Sequence, residues 1–463
     1  MEPKQAFINS DLGGGDGGKG GVVHKECVQK RAHTVVKVGG AQGSHGVRTA
    51  LGQSHNFSQF GCGTFEGAKT HISEIMLVEP YLLLEEAQEL KYRWSIYNIF
   101  DYLTIDENAL CITPYHTIAS RLRELFRKND PKGTVGIGAG EAVLDSEKYP
   151  ELAIYAKDLN GPDIRKKISG IRDKKISDLS SILQMNNQFL PEDKKSAQEH
   201  IDLLFDKDFV DRILERFTTL AKTAKIVNSD YLKTNILSKP GTVVFESSHG
   251  VLTDRYYGFH PHTTKIRTIP QKTLDLLTKH NYDGEIFKIG ITRGYQIRHG
   301  AGPMVTHSPS MLDSLMPGSS KETNRWQGEP RVGPLDLVSL RYAIEVCGGP
   351  QFFSGLAITW FDQIQKNGRW DICESYTGAE NPTFFSSDGR IIVRRTEDKS
   401  RLFYQENLGK ELLKCSPLIT SYDLSGKSKE EIIFLCTTTL KEKLGVPVKM
   451  ISFGPTEDHK NCL

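Results

Sequence analysis

Residues 7–26 read FINSDLGGGDGGKGGVVHKE, a β-branched apolar run that breaks into glycines and resumes as a helix-forming segment. From Gly13 to Lys19 the stretch fits the phosphate-loop pattern G-x-x-x-x-G-K, yet Gly20 follows where that pattern needs Ser or Thr to hold magnesium. Asp16 also sits inside the loop. QAFINSDL (5–12) and AHTVVKV (32–38) have strand character and each ends in glycines, and GGVVHKECVQKRA (20–32) between them reads as a helix. The result is a βαβ unit whose glycine-rich loop opens a helix, an arrangement that aims backbone N–H groups and the positive helix end at an anion. An α/β fold with a mostly parallel central sheet, this phosphate-loop-like βαβ unit at its start and helical excursions follows from that reading.

The loop's chemistry points to phosphate. Five glycines among residues 13–18 let backbone N–H groups approach an anion, and Lys19 brings a charge. Asp16 repels phosphate unless a cation intervenes or the carboxylate works as a base, and both roles suit phosphoryl transfer. A glycine-rich turn with a solvated Asp is the competing reading of a bare motif match.

A second glycine-rich segment follows the second strand. KVGGAQGSHGVRT (37–49) offers Gln42 and His45; a histidine at the carboxyl end of a strand beside a phosphate loop can donate to a leaving phosphate oxygen, against the alternative of a structural histidine. KGTVGIGAG (132–140) and RHGAGP (298–303) add backbone-rich turns, and FHPHTT (259–264) places hydroxyls next to histidine. His260 and His262 alternate as in a strand and have metal-ligand chemistry, but with no third ligand nearby a polar rim is the better reading. GTVVFESSHG (241–250), GLAITWFD (355–362) and KMISFGP (449–455) return to strand character and close on polar residues. Ligands of open α/β sheets gather at the carboxyl ends of strands, so these loops are expected to converge. Residues 115–128 and 200–225 carry helical periodicity, and the Lys-rich stretch 163–198 reads as a solvated helical excursion. One unit spanning 1–463 is expected, with a helical subregion near 163–228.

Composition narrows the function classes. In 463 residues, 59 Lys and Arg against 57 Asp and Glu give a net charge of +2, which provides no electrostatic reason to invoke nucleic acid or a membrane surface. No apolar run approaches the roughly 20 residues of a membrane helix, and MEPKQAFINS lacks the apolar region of a signal peptide. Eight scattered cysteines form no C-x-x-C pair, which reads as reduced thiols in a cytoplasmic protein.

Seven ordered segments resemble the adenylosuccinate synthetase family. GDGGKG (15–20) is similar to its G-D-E-G-K-G, GGAQGSH (39–45) to G-G-x-N-A-G-H, and GTVGIGAG (133–140) to G-T-T-G-x-G-I-G. FESSHG (245–250) answers to F-E-G-x-Q-G, GAGP (300–303) to G-A-G-P, TWFD (359–362) to T-K-x-D, and SFGP (452–455) to S-x-G-P. The resemblance covers nearly the whole chain. It implies a purine-biosynthesis ligase that joins aspartate to a 6-oxopurine nucleotide, using GTP or ATP and Mg²⁺, in a homodimer. In that scheme Asp16 takes the N1 proton, O6 attacks the γ-phosphate, and the amine of aspartate displaces the phosphate. The same resemblance implies that His45 stabilises the leaving diphosphate and that Asp16 and Ser44 hold the metal. The nucleoside triphosphate falls to Gly15, Gly17, Gly18, Lys19, Gly20, Asp362, Ser452, Gly454 and Pro455. The purine nucleotide falls to Gln42, Thr134, His249 and Thr264, and aspartate to Arg331, with Arg325 as an alternate.

Several positions depart from the family pattern. Trp360 replaces the Lys of T-K-x-D, His249 replaces a Gln, Val135 replaces the second Thr of G-T-T-G, and LDSEKYPELA (144–153) has no clear match to the Arg that a partner subunit normally contributes. Glu329 stands where an Arg is usual, either repelling aspartate's second carboxylate or lying solvated on a loop. Two other readings therefore stay open: the same scaffold acting on a different purine nucleotide, such as a 2-aminopurine of dGMP type, or amino donor, and a nucleotide-binding protein without catalysis. Retention of Asp16 counts against the 2-aminopurine subgroup, which is marked by loss of the loop Asp, and intact Asp16, Lys19 and His45 count against the non-catalytic reading.

Overall fold

The computed structural model describes residues 2–318, 326, 328–396 and 399–463. In chain order the strands are β1 (Lys4–Asp11), β2 (Thr34–Gly39), β3 (His45–Arg48), β4 (Ser54–Phe57), β5 (Lys69–Val78), β6 (Leu103–Asp106), β7 (Leu110–Cys111), β8 (Lys225–Val227) and β9 (Gly241–Gly250). They continue as β10 (Glu285–Arg293), β11 (Gln296–His299), β12 (Pro330–Gly333), β13 (Leu335–Asp336), β14 (Gly355–Thr359), β15 (Arg369–Thr377), β16 (Ser416–Asp423), β17 (Val448–Ser452) and β18 (Lys460–Cys462). Eleven of them form one sheet in the order β18-β17-β14-β10-β1-β9-β2-β5-β6-β8, with β7 on β5. Every pairing in it is parallel except β17 with β18. β1 lies at the centre, Ala6 in register with Val243 of β9 on one side and Ile286 of β10 on the other.

Burial on both faces explains why these strands are near-continuous apolar runs. Phe7 and Val35 point to the face covered by helix α1 (Lys19–Lys30), where Val22, Val23 and Cys27 pack at 0–2% exposure. Ala6, Ile8, Val36 and Phe245 point to the other face, against Leu276 and Leu277. Gly18, in the left-handed region at φ 88°, starts α1, so the loop turns into the helix without a side-chain cap.

The region between β7 and β8 is helical, with helices at Pro114–Phe126, Ala139–Lys148, Ile164–Asp178, Lys194–Phe205 and Phe209–Thr223. The Lys-rich excursion is less solvated than its composition suggests: Lys175 is 1% exposed and bonds Glu141 and Asp145 at 2.8 and 2.7 Å. Two strand readings end early. GLAITWFD is strand only to Thr359, because Trp360 takes a left-handed φ of 57° and Phe361–Lys366 becomes a helix. His260 and His262 lie in a turn around a cis His260–Pro261 bond and each contacts a backbone carbonyl, of Arg255 and Lys132, as a polar rim. All eight cysteines are free.

Candidate active site

The parallel strands β1 and β2 deliver the 13–20 and 39–45 loops to one edge of the sheet, whereas the 132–140 loop follows a helix and the 300–303 turn follows β11 of a separate antiparallel pair. β1 ends at Asp11, whose buried carboxylate accepts from Gly13 N at 2.9 Å, Gly17 N at 2.7 Å and Lys19 Nζ at 2.8 Å. The phosphate-like loop is thus wrapped over a carboxylate of its own. Thr359 Oγ1 donates to Gly17 O at 2.7 Å and ties the loop to the end of β14. Gly20 stands where a hydroxyl residue was expected because β3 passes over it: a Cβ there would lie 2.6 Å from Gly46 O and 2.8 Å from the carbonyl carbon of His45. No side chain fits that gap.

Asp16 rides at the crest of the loop with φ 59°, a conformation uncommon for a non-glycine residue and frequent where function holds the backbone in place. Arg293 Nε donates to its carbonyl at 2.6 Å, and Asp16 Oδ2 lies 2.5 Å from His299 Nδ1. Burial works to raise the Asp16 pKa, but the hydrogen bond and charge of His299, with Arg293 and Lys19 behind it, more than offset that and hold the carboxyl well below its usual range. The side chain is 42% exposed, and no hydrogen bond among the described residues engages Oδ1. A carboxylate oxygen free at the crest of a phosphate loop is a hard donor of the kind magnesium takes. Ser44, the other candidate metal residue, is exposed.

His45 begins β3 and is almost buried. Its Nδ1 lies 2.5 Å from Glu246 Oε1 of β9, and Lys37 Nζ of β2 bonds the same oxygen at 2.6 Å. Cys62 donates from N to Glu246 Oε2 at 2.9 Å and from Sγ to Oε1 at 3.2 Å. Burial outweighs the upward pull of Glu246 and, with Lys37 and Lys19, holds the His45 pKa below its ordinary value. Burial would raise the Glu246 carboxyl, but Lys37 and His45 reverse the direction and keep it ionised. His45, Cys62 and Glu246 are close enough together to suggest a metal site. The ammonium of Lys37 already occupies the same carboxylate, so the cluster reads as an orienting network that leaves His45 Nε2 facing the 40–44 loop, 3.2 Å from where a Gly43 Cβ would stand.

A cavity of about 810 Å³ opens beside the loop, and its lining includes Asp16, Gln42, Thr134, His249 and Thr264. The five candidate residues for proton abstraction and purine-nucleotide binding therefore share one chamber. Gln42 Nε2 and His249 Nε2 are 2.7 Å apart. Burial pushes the His249 imidazole down to about 4, so it stays neutral near pH 7. Lys132, Lys265 and Arg298 also line the chamber, and none has an ion-pair partner among the described residues. Burial pushes Lys132 down to about 8, and burial, with the like charge of Arg331, pushes Arg298 down to about 10. Arg298 is buried and the two lysines are half-buried, and cations without an ion-pair partner in such a chamber suit an anionic ligand.

Arg331 stands opposite Arg298 in the β11–β12 pairing, and its Nη2 donates to Gly300 O at 2.6 Å and Gly302 O at 2.8 Å. It braces the GAGP turn from behind, whereas Arg298 lines the chamber itself. Arg325 lies outside the described residues, and Glu329 is exposed, which fits the solvated-loop reading.

The remaining candidates cluster on the far side of the loop. Asp362 follows Trp360 beyond the end of β14; Ser452 ends β17, the neighbouring strand in the sheet, and Gly454 and Pro455 follow it. Asp362 Oδ2 accepts from Gln363 Nε2 at 2.6 Å, and the Trp360 ring packs on the Arg293 guanidinium at 4.3 Å. Sequence reading missed Asp11, Glu246, Arg298 and His299. FESSHG and RHGAGP contain three of the four, but nothing in either segment says which partner each side chain meets.

A family model described as adenylosuccinate synthetase matches residues 12–460. Among curated proteins, adenylosuccinate synthetase of Aquifex aeolicus is 27% identical over 453 residues, covering 96% of this chain and 94% of its own. The Fusobacterium nucleatum enzyme is 25% identical over 452 residues, covering 95% of each. Among solved structures, fully ligated adenylosuccinate synthetase from Plasmodium falciparum superposes with a TM-score of 0.76 at 15% identity, covering 99% of both chains. Succinoaminodeoxyadenylate synthetase of cyanophage S-2L, solved with dGMP and with dATP as energy donor, gives a TM-score of 0.55 at 14% identity, covering 99% of this chain and 95% of that one. With the match running from the phosphate-like loop to the last strand, the chain belongs to the adenylosuccinate synthetase family, ligases that form a carbon–nitrogen bond by NTP-dependent joining of aspartate to a purine nucleotide.

Proposed function

We propose that the purine substrate is a 6-oxopurine nucleotide of IMP type, activated through a 6-phosphoryl intermediate, and that the preferred phosphate donor is GTP. The observation that carries this reading is Asp16: an ionised carboxylate on a strained crest, opening on the same chamber as Gln42, Thr134, His249 and Thr264. In the proposed reaction Asp16 accepts the N1 proton, which lets O6 attack the γ-phosphorus as the diphosphate leaves. The amine of aspartate then attacks C6, and the phosphate departs with the O6 oxygen. His299 holds Asp16 Oδ2, and Oδ1, with no hydrogen bond among the described residues, is the oxygen proposed to take the proton. With Nδ1 bonded to Glu246, His45 turns Nε2 to the leaving diphosphate; donation there needs the imidazolium, which both Glu246 and the arriving negative charge favour. Asp16 and Ser44 would be the protein oxygens that hold Mg²⁺, which when bound would supply charge neutralisation to the phosphates. Lys132, Lys265 and Arg298 suit the 5′-phosphate and the carboxylates of aspartate, with Arg331 bracing that wall.

The proposal extends to a cytoplasmic homodimer, supported by the family; among the described residues no helix is long and apolar enough to cross a membrane. The phage enzyme's use of dGMP and dATP raises the 2-aminopurine alternative, which the retained loop carboxylate opposes. The test is a panel of IMP, GMP and their deoxy forms against GTP and ATP, with aspartate present and phosphate release as readout. IMP-dependent release is expected. Release with dGMP and none with IMP would overturn the substrate assignment.

A further inference from the structure

A phosphate loop normally brings one lysine to its ligand, and here that lysine is engaged elsewhere. Lys19 Nζ lies 2.8 Å from Asp11 Oδ2, with the two side chains 3% and 1% exposed. Asp11 also takes the N–H groups of Gly13 and Gly17. An internal carboxylate thus absorbs much of the anion-binding capacity of the cradle before any nucleotide arrives.

A second ammonium reaches the same place from the other end of the chain. β18 runs antiparallel to β17 with Lys460 in register with Ser452, which carries the Lys460 side chain back across the Gly454–Thr456 turn. Nζ donates to Pro455 O at 3.1 Å and Thr456 O at 2.8 Å. Its stem lies against the first turn of α1, where a Cβ on Gly21 would come within 2.8 Å of Cε and 3.1 Å of Nζ. Lys460 is 6% exposed, and no carboxylate forms an ion pair with it among the described residues. Burial is the main influence on the ammonium and pushes it down to about 8, with Glu457 and Asp362 pulling upward and Lys25 downward. An ammonium has three N–H donors, and two go to neutral carbonyls. The third is left over in a buried place between the phosphate-loop helix and the turn assigned to the donor nucleotide.

We propose that Lys460 binds the phosphate chain of the donor nucleoside triphosphate, as the cation that Asp11 prevents Lys19 from fully supplying. The inference rests on the reading of the Gly13–Gly20 loop as the donor site. It makes Gly21 part of the arrangement, since any side chain there displaces the Lys460 stem.

The experiment is titration calorimetry of the full-length protein with Mg²⁺ and, separately, GTP, ATP, GDP and guanosine, for wild type, Lys460→Met and Gly21→Ala. Lys460→Met is expected to weaken the triphosphates and GDP by about tenfold or more, as for loss of one charge-assisted hydrogen bond, and to leave guanosine unchanged. Gly21→Ala is expected to show the same selective loss, while its melting temperature stays close to that of wild type because the new Cβ meets only the far end of the flexible Lys460 side chain and no backbone. Unchanged triphosphate affinity in Lys460→Met overturns the proposal. So does an equal loss for guanosine, which would make Lys460 a structural tie of the 454–456 turn. If wild type binds neither GTP nor ATP, the donor-site reading falls, and the Lys460 contact falls with it.

Discussion

At the residue scale, the chemistry turns on one carboxylate whose backbone is strained and whose side chain is held by a single imidazole. Asp16→Asn keeps the shape and the Arg293 contact to the carbonyl but removes the base, so kcat should fall by about a thousandfold or more while GTP affinity stays within a few-fold of wild type. Steady-state kinetics beside direct nucleotide titration check this, and most of the activity surviving would remove Asp16 from the proton step. Asp16 was legible because a short motif fixes it by spacing. His299 was not, because it meets Asp16 across 283 residues of chain, and only the β11–β12 pairing determines where β11 ends. Asp11 was hidden for another reason: on the page it closes an apolar strand, and its role as the loop's internal anion appears only when two N–H groups and an ammonium are seen folded around it.

At the element scale, β1, α1 and β3 pack closely enough that motif logic and packing logic conflict. Gly20→Ser restores the hydroxyl of a standard phosphate loop, yet the new Cβ meets backbone atoms of β3, which cannot rotate away as a side chain would. Urea unfolding should show a loss of about 1–3 kcal/mol, the usual cost of overpacking, with reduced turnover because His45 is displaced. A fully stable and more active variant would show that the gap can be filled. The same βαβ unit carries a pH term. Burial pushes Glu26 up to about 8 from an ordinary value of 4.5, against the smaller opposing effects of its hydrogen bond from Asn9 and the charge of Lys30. The folded state therefore holds a proton that the unfolded chain releases; the stabilisation is complete below about pH 4.5 and is lost as pH rises through about 8. Glu26→Gln should remove that slope, matching wild type near pH 5 and melting higher near pH 8.5. Parallel melting curves at both pH values would mean that Glu26 titrates normally. Strand and helix existence was readable here from periodicity, whereas the buried carboxyl was not, since Glu at position 26 of a helix reads equally well as solvated.

At the scale of the whole molecule, five of the seven segments lie at the carboxyl ends of β1, β2, β9, β14 and β17 and converge because a parallel sheet places those ends on the same side. The other two lie outside that sheet: 133–140 follows the Pro114–Phe126 helix and 300–303 follows β11. What the segments could not give is how the two chain ends close the donor side: β14 leads into Trp360 and Asp362, β17 and its antiparallel partner β18 supply the Ser452–Pro455 turn, and Thr359 ties β14 to the N-terminal loop. That assembly sets up a contest over the donor base. The Asp362 carboxylate, half-buried beside Gln363, suits the N1–H and 2-amino donors of guanine and would face a lone pair on adenine N1. Leaving it unpaired would cost on the order of 1–3 kcal/mol. The Trp360 ring offers stacking to either purine, and one of its faces already packs on Arg293, so it has little power to discriminate. The hydrogen-bonding penalty outweighs the stacking gain because only the penalty differs between the bases. GTP should therefore exceed ATP in kcat/KM by about tenfold or more, and Asp362→Asn should narrow the ratio mainly by lowering the GTP value. Equal values for the two donors, with Asp362→Asn harmless, would show that this edge of the sheet binds the phosphates without reading the base.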